Sequence, residues 1–235
     1  IQIDPQDYRG YYSLGTAAYQ MEMDQDAVGY FKKAIQINPN SYKSYYNLAV
    51  VLDETGNTGG AIKYLNRVIE MKTDFIEAYN NLGIMLSTQK RYREALEVFI
   101  KGLKLNPDEY SLYYNMGITL SEMDRHSDAV EAYKNALDIK PDEHEISYHL
   151  GASLMELKRY DEAIEVYKRT LEVNPDDSEL FYNLASVYSL LNKKDIALDN
   201  LEKAIELNSN LKADAKNNKV FENIHLSKEF RKLCR

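Results

Sequence analysis

Apolar side chains return along the chain at helical spacing, and the stripes come in pairs divided by short polar breaks. Tyr79, Leu82, Gly83 and Leu86 form one stripe, and Ala95, Leu96, Phe99 and Leu103 the next, as on the buried faces of two amphipathic helices. Gly56 and Asn57, Gln89 and Lys90, Asp124 and Arg125, or Asn192 and Lys193 separate the members of a pair, which suits a tight helix–helix turn. A second kind of break closes each pair. Pro5, Pro39, Pro107, Pro141 and Pro175 stand there, 34 residues or a multiple of 34 apart, with Thr73 and Ser209 on the two rungs that lack proline. Proline ends the second helix because it has no N–H to donate and its predecessor avoids the α region. Asn40, Asp74, Asp108, Asp142, Asp176 and Asn210 follow these rungs and are expected to cap the next helix.

A fixed period of this length predicts small stacked units, each burying its apolar face against its neighbours. Six units follow: residues 8–41, 42–75, 76–109, 110–143, 144–177 and 178–211. Counted from the first residue of each unit, column eight holds Gly15, Ala49, Gly83, Gly117, Gly151 and Ala185, and column twenty holds only alanine, from Ala27 to Ala197. Small residues on successive helices let the backbones approach. Column four supplies the bulk: Tyr11, Tyr45, Tyr79, Tyr113 and Phe181, with Ser147 in unit five. Column twenty-four does likewise with Phe31, Leu65, Phe99, Tyr133, Tyr167 and Leu201.

Tyr113, Met116, Gly117, Ala129, Tyr133, Ala136 and Pro141 carry a signature that resembles the tetratricopeptide repeat (TPR). The resemblance covers residues 1–211 and implies an all-α fold, a right-handed α-solenoid of helix-turn-helix units. Residues 1–7 read like the end of a preceding TPR repeat, since IQIDPQD matches IQINPNS at residues 35–41, so the chain is expected to begin inside an earlier repeat. Residues 212–235 resemble capping helices that close such arrays, with Ser227 as a helix cap and Phe230 and Leu233 packing onto the last repeat.

Charge and chemistry narrow the function classes. The chain has 29 Lys and Arg against 37 Asp and Glu, a net charge of −8, and without a basic patch it is not expected to bind nucleic acid or an anionic membrane. Its longest apolar runs, such as Leu48 to Leu52, fall far short of the ~20 residues that cross a bilayer, so no membrane insertion is expected. A single cysteine, Cys234, excludes an internal disulfide and fits a reducing compartment; the cytoplasm is the expected location. His126, His144, His149 and His225 are not paired at metal-ligand spacing, and no glycine-rich phosphate loop is present. No enzyme activity, cofactor or metal is expected.

The resemblance implies that the first helix of each repeat lines a concave groove, with columns two, five, six, nine, twelve and thirteen facing inward. Column six then presents Ser13, Asn47, Asn81, Asn115, His149 and Asn183, a row whose asparagine amides are able to bond the backbone of an extended peptide or simply to stand solvated. Column five adds Tyr12, Tyr46, Tyr114, Tyr148 and Tyr182, rigid amphipathic rings of the kind enriched at interfaces; the alternative is that they cover the neighbouring helix. Ile84 and Ile118 in column nine complete the binding face. Substituting Asn81, Asn115 or Tyr114 is expected to leave stability nearly unchanged, because these positions are expected to be exposed. Arg9 and Lys43 are the inward cations, near the N-terminal mouth, whereas Glu122, Glu145, Glu156 and Glu179 make the later repeats acidic. The expected partner is a protein or peptide with basic residues facing repeats four to six. The grip on a chaperone's C-terminal carboxylate known in this family needs Lys in column five and Asn in column nine, and no unit has them.

The leading function is therefore a non-catalytic protein–protein interaction scaffold that binds an extended segment in its groove. Two alternatives stand beside it: self-association of the chain into a homo-oligomer, and a substrate-recruiting arm of a larger enzyme whose catalytic part lies upstream.

Overall fold

The computed structural model describes residues 6–234; Pro5, with most of the expected remnant of a preceding repeat, lies outside the described residues. The helices follow one another as α1 (Tyr8–Gln20), α2 (Asp24–Ile37), α3 (Tyr42–Glu54), α4 (Thr58–Met71), α5 (Ile76–Thr88) and α6 (Tyr92–Leu105). Next come α7 (Tyr110–Ser121), α8 (His126–Ile139), α9 (His144–Glu156), α10 (Tyr160–Val173), α11 (Ser178–Leu190) and α12 (Lys194–Leu207). After these stand α13 (Leu211–Asn217), a 3-10 turn at Lys219–Phe221, and α14 (Lys228–Leu233). Every regular element among the described residues is helical, and consecutive helices pair, so the fold is of the all-α solenoid class. Two compact units are distinguished, the first ending at Thr119 and the second beginning at Leu120.

One backbone device closes the first helix of every repeat. Column fifteen is left-handed throughout: φ is 58° at Glu22, 60° at Lys90, 57° at Asp124, 58° at Lys158, 56° at Asn192 and 83° at Gly56. The next amide reaches five residues back, as in Asn57 N to Leu52 O at 2.7 Å, Arg91 N to Leu86 O at 2.9 Å and Lys193 N to Tyr188 O at 2.8 Å. These are Schellman closures, which satisfy the carbonyls a helix leaves unpaired at its end. Only one of the six positions is glycine, although a side chain there costs about 1 kcal/mol, so the turn depends on its hydrogen bonds more than on residue type.

At the other helix ends the structure corrects the expected caps. The N-cap falls one residue later than Asn40, Asp74, Asp142 and Asp176, at Ser41, Phe75, Glu143 and Asp177. Of these four, Asp177 alone accepts bonds from its helix, from Glu179 N and Leu180 N. Asn210 does stand at the N-cap of α13, but its side chain makes no cap bond. The rung itself is held from the other side of the proline, where Asn38 Oδ1 accepts from Asn40 N at 3.1 Å and Asn106 Oδ1 from Asp108 N at 3.3 Å. An Asx turn of this type satisfies the backbone locally, which leaves the following side chain free to point outward.

Columns eight and twenty-four are matched in volume. A Cβ on Gly15 would lie 2.7 Å from the Phe31 ring, and Cβ atoms on Gly83 and Gly151 would run into Phe99 and Tyr167. Where column eight is alanine, as at Ala49 and Ala185, column twenty-four is leucine, Leu65 and Leu201, and all four are fully buried. A ring thus lies flat on a bare helix backbone, while a narrower leucine leaves room for one methyl. Burying each such side chain stabilises the fold by about 1.5–3 kcal/mol.

In the second unit the segment after α12 closes the last repeat. Phe221 is fully buried and stands edge-on to Tyr182, with ring centroids 5.4 Å apart. Asn223 Nδ2 donates to Ser189 O at 2.7 Å, and Ser227 caps α14 by accepting from Phe230 N at 3.1 Å.

Candidate functional site

In the first unit the first helices of successive repeats, α1, α3, α5 and α7, carry Tyr12, Tyr46, Asn47, Asn81, Ile84, Tyr114, Asn115 and Ile118, all half-buried. The amides are joined to the preceding repeat at a constant offset of 35 residues. Asn47 Nδ2 donates to Tyr12 Oη at 3.3 Å, Asn81 Nδ2 to Tyr46 Oη at 2.9 Å, and Asn115 Nδ2 to Asn80 Oδ1 at 2.8 Å. A parallel rung lies in columns twelve and thirteen, where Tyr19 Oη donates to Glu54 Oε1 at 2.6 Å. That carboxylate, with burial second, pushes the Tyr19 phenol up to about 12.

The tyrosine rings sit against the core. Tyr46 meets Phe75 edge-on at 5.0 Å and Tyr12 meets Phe31 at 6.0 Å, and Tyr12, Tyr46 and Ile84 all pack on the buried cluster of this unit. Burial raises the Tyr46 phenol, the Glu77 carboxylate adds to the rise, and the bond from Asn81 opposes it. Tyr12 and Tyr46 therefore lie partly on the core while keeping one side towards solvent. Asn47, Asn81 and Asn115 each spend one N–H on a rung and retain a second N–H and a carbonyl oxygen.

This arrangement changes the expectation for Asn81. Far from standing free in solvent, its amide supplies a hydrogen bond to a half-buried hydroxyl, and such a bond contributes about 1 kcal/mol. Asn81→Ala is expected to lower the stability of the first unit by about that amount, read as a reduced urea midpoint with an unchanged slope. An unaltered midpoint would mean that the rung does not form in solution.

In the second unit α9 and α11 hold the corresponding columns. Tyr148 Oη donates to Asp177 Oδ2, the same carboxylate that caps α11, rather than to Asn183. The Tyr148 phenol is raised first by burial and then by Asp177. Asn183 is half-buried and has no side-chain hydrogen bond among the described residues. The His149 ring stacks on Tyr133 at 5.9 Å and 24°; burial lowers its pKa and Glu145, one turn earlier, opposes that. Tyr182 is only 9 % exposed, covered by Phe221, and accepts from Asn218 Nδ2 at 3.1 Å. The closing segment thus supplies the amide that a further repeat would bring, and it takes Tyr182 out of the exposed face.

Glu145, Glu156 and Glu179 are exposed on α9 and α11, as is Glu122 just beyond α7. The inward columns of these two helices contain no Lys or Arg. Among the described residues no three His, Cys, Asp or Glu side chains converge where a metal ion could sit, and no helix is long and apolar enough to cross a membrane. The sequence pattern could not show the rungs, because each depends on a hydroxyl 35 residues away; the recurrence of Tyr and Asn in adjacent columns was the available signal.

Comparison with known proteins places this architecture. Models of the tetratricopeptide repeat match residues 8–41, 30–63, 75–142, 120–188 and 178–211. No curated protein gives a match. Among solved structures, the chain is similar to the Pseudomonas aeruginosa pilF protein, with a TM-score of 0.73 and 18 % identity over 93 % of this chain and 96 % of that one. It is also similar to MamA, with a TM-score of 0.65 and 24 % identity over 71 % and 91 % of the two chains. The structure described as YrrB, a TPR protein with an unusual peptide-binding site, gives a TM-score of 0.63 and 24 % identity over 76 % and 92 %. At these identities the likeness is one of fold. With repeat models matching from residue 8 to 63 and from 75 to 211, the chain belongs to the tetratricopeptide-repeat family.

Proposed function

We propose that the chain is a non-catalytic interaction scaffold that binds an extended, basic segment of a partner protein along the first helices of its repeats. The observation that carries this reading is the face of α9 and α11. Glu145, Glu156 and Glu179 stand exposed there with no cation in the same columns, beside Asn183, whose amide has no hydrogen-bond partner among the described residues. Lys or Arg on a bound segment would meet the carboxylates, and the amide would meet its backbone. A peptide-binding site is named for the YrrB structure, which makes such use of the fold familiar, although the identity of 24 % carries no residue across.

The test is selection from a displayed peptide library on the whole chain, followed by binding to Glu145→Lys/Glu179→Lys, two exposed positions whose reversal should leave the fold intact. Selected peptides are expected to be rich in Lys and Arg and to lose at least about tenfold in affinity on the variant. Raising salt from about 0.1 M to about 1 M, which shortens the screening length from about 10 Å to about 3 Å, is expected to weaken them as well. Peptides without basic excess, or equal binding to both proteins, would overturn the assignment.

A further inference from the structure

Column four is aromatic in five repeats and serine in the fifth, and the structure shows what that exchange leaves behind. In the first unit the column-four ring fills the gap between second helices. Tyr45 lies 5.8 Å from the ring of Tyr64 in column twenty-three. Tyr79, 6 % exposed, packs its Cβ beside Gly102 in column twenty-seven and donates to Thr73 O at 2.9 Å, on the proline rung. In the fifth repeat the corresponding positions are Val166, Thr170 and Pro141, and all three line an open cavity of about 830 Å³ whose lining also includes Ser147, itself only 3 % exposed.

This cavity lies between α8 and α10, with Leu150 and Leu154 of α9 beneath it and Leu137 and Val173 on its walls. Val173 is 67 % exposed, an apolar side chain left at the mouth without a cover. The volume is within the ~300–1,000 Å³ of ordinary ligand pockets, more than one ring needs. On the rim, Lys134 pairs with Glu162 at 3.7 Å and Arg159 with the same carboxylate at 2.6 Å. Among the residues that line the cavity, Asp138, Asp142 and Glu165 then face Arg169 alone as a further cation, so the mouth favours a positive neighbour.

We infer that the fifth repeat is a receptor for an aromatic anchor: a partner polypeptide inserts a Phe or Tyr side chain, flanked by Lys or Arg, into the place that the chain's own column-four ring occupies in other repeats. The site sits on the second-helix side of α9 and is independent of the first-helix face proposed above. A bare ring gains burial against Leu137, Val166 and Val173, the lining apolar side chains that are still partly exposed, and the flanking cations meet Asp138 and Asp142. Ser147 determines the specificity, because its small side chain is what keeps the place vacant.

Methyl-detected NMR titration of the whole chain with short blocked peptides tests this. Lysyl-phenylalanyl-lysine is expected to shift the methyl signals of Leu137, Leu150, Leu154, Val166 and Val173 with a dissociation constant of about 1 mM. Lysyl-alanyl-lysine should shift none of them, and glutamyl-phenylalanyl-glutamate should bind at least about threefold more weakly. Ser147→Phe restores the column, so this variant is expected to melt at a higher temperature and to lose the shifts. If it fails to fold, Val173→Lys, at an exposed position, should weaken lysyl-phenylalanyl-lysine at least about threefold. The proposal is overturned if the methyls do not move, if alanine serves as well as phenylalanine, or if the folded Ser147→Phe protein still binds. Binding of p-cresol as tightly as the peptide would equally overturn it, by marking a small-molecule site. Glu145→Lys/Glu179→Lys should bind the tripeptide unchanged, which separates this site from the first-helix face.

Discussion

Gly83→Ala is expected to destabilise the first unit by about 2 kcal/mol, against the usual helical preference for alanine. Alanine in place of glycine gains up to ~1 kcal/mol in a helix interior. Here the new methyl would run into the ring of Phe99, which is fully buried and has no route of retreat; overpacking of this kind costs about 1–3 kcal/mol before any gain is set against it. The informative experiment is the cycle completed by Phe99→Leu. That change alone removes part of a buried ring and costs about 1–3 kcal/mol. Together the two substitutions recreate the Ala49–Leu65 pair already buried one repeat earlier, so the double variant is expected to be more stable than the sum of the single losses by about 1–3 kcal/mol. Urea denaturation of the four proteins gives the coupling directly. Additivity within about 0.5 kcal/mol would show that the two columns are not volume-matched.

Phe221→Ala should cost about 3–5 kcal/mol, the range for deleting a buried ring, and the loss should be local. Phe221 is fully buried, edge-on to Tyr182 and 6.4 Å from Phe230, so it joins α11 to the closing segment. Without it the Asn218–Tyr182 and Asn223–Ser189 bonds lose the packing that holds their partners together. Hydrogen exchange is the suitable measurement, because neighbouring repeats open as separate cooperative units. Amides of α13 and α14 should exchange much faster while those of α9 keep their protection. A uniform acceleration through the second unit would show instead that the segment folds as one with the repeats.

The repeat, its period and its paired helices were legible because each is written in many columns at once. Small residues in columns eight and twenty, with bulky ones in four and twenty-four, point to one recurring packing. What escaped was whatever depends on backbone conformation or on distant partners. Lys90 and Asp124 gave no hint of left-handed geometry, since Gly56 is the sole glycine in their column. The caps were placed one residue early because the Asx turns at Asn38 and Asn106 do the local work that Asn40 and Asp108 were expected to do. Asn81 reads as an exposed amide in sequence because its partner hydroxyl, on Tyr46, belongs to the previous repeat. Ser147 departs from its column in sequence, yet only the structure shows the cavity that it lines with Val166, Thr170 and Pro141.

The rungs between repeats carry a consequence for how such a chain can change over generations. Every one of the three amide rungs in the first unit spans the same 35 residues. Removing residues 42–75 as a block would bring Tyr12 to Asn81 at that same offset, so the amide rung would be kept, while Thr88 would replace Glu54 opposite Tyr19. A duplication of the block would likewise keep the amide offset. Loss or gain of a single residue within a helix between two rung partners would instead break the 35-residue offset of the rung that spans it. Copy number is therefore the quantity this architecture leaves open to variation, and reading frame within the repeat is the one it holds fixed.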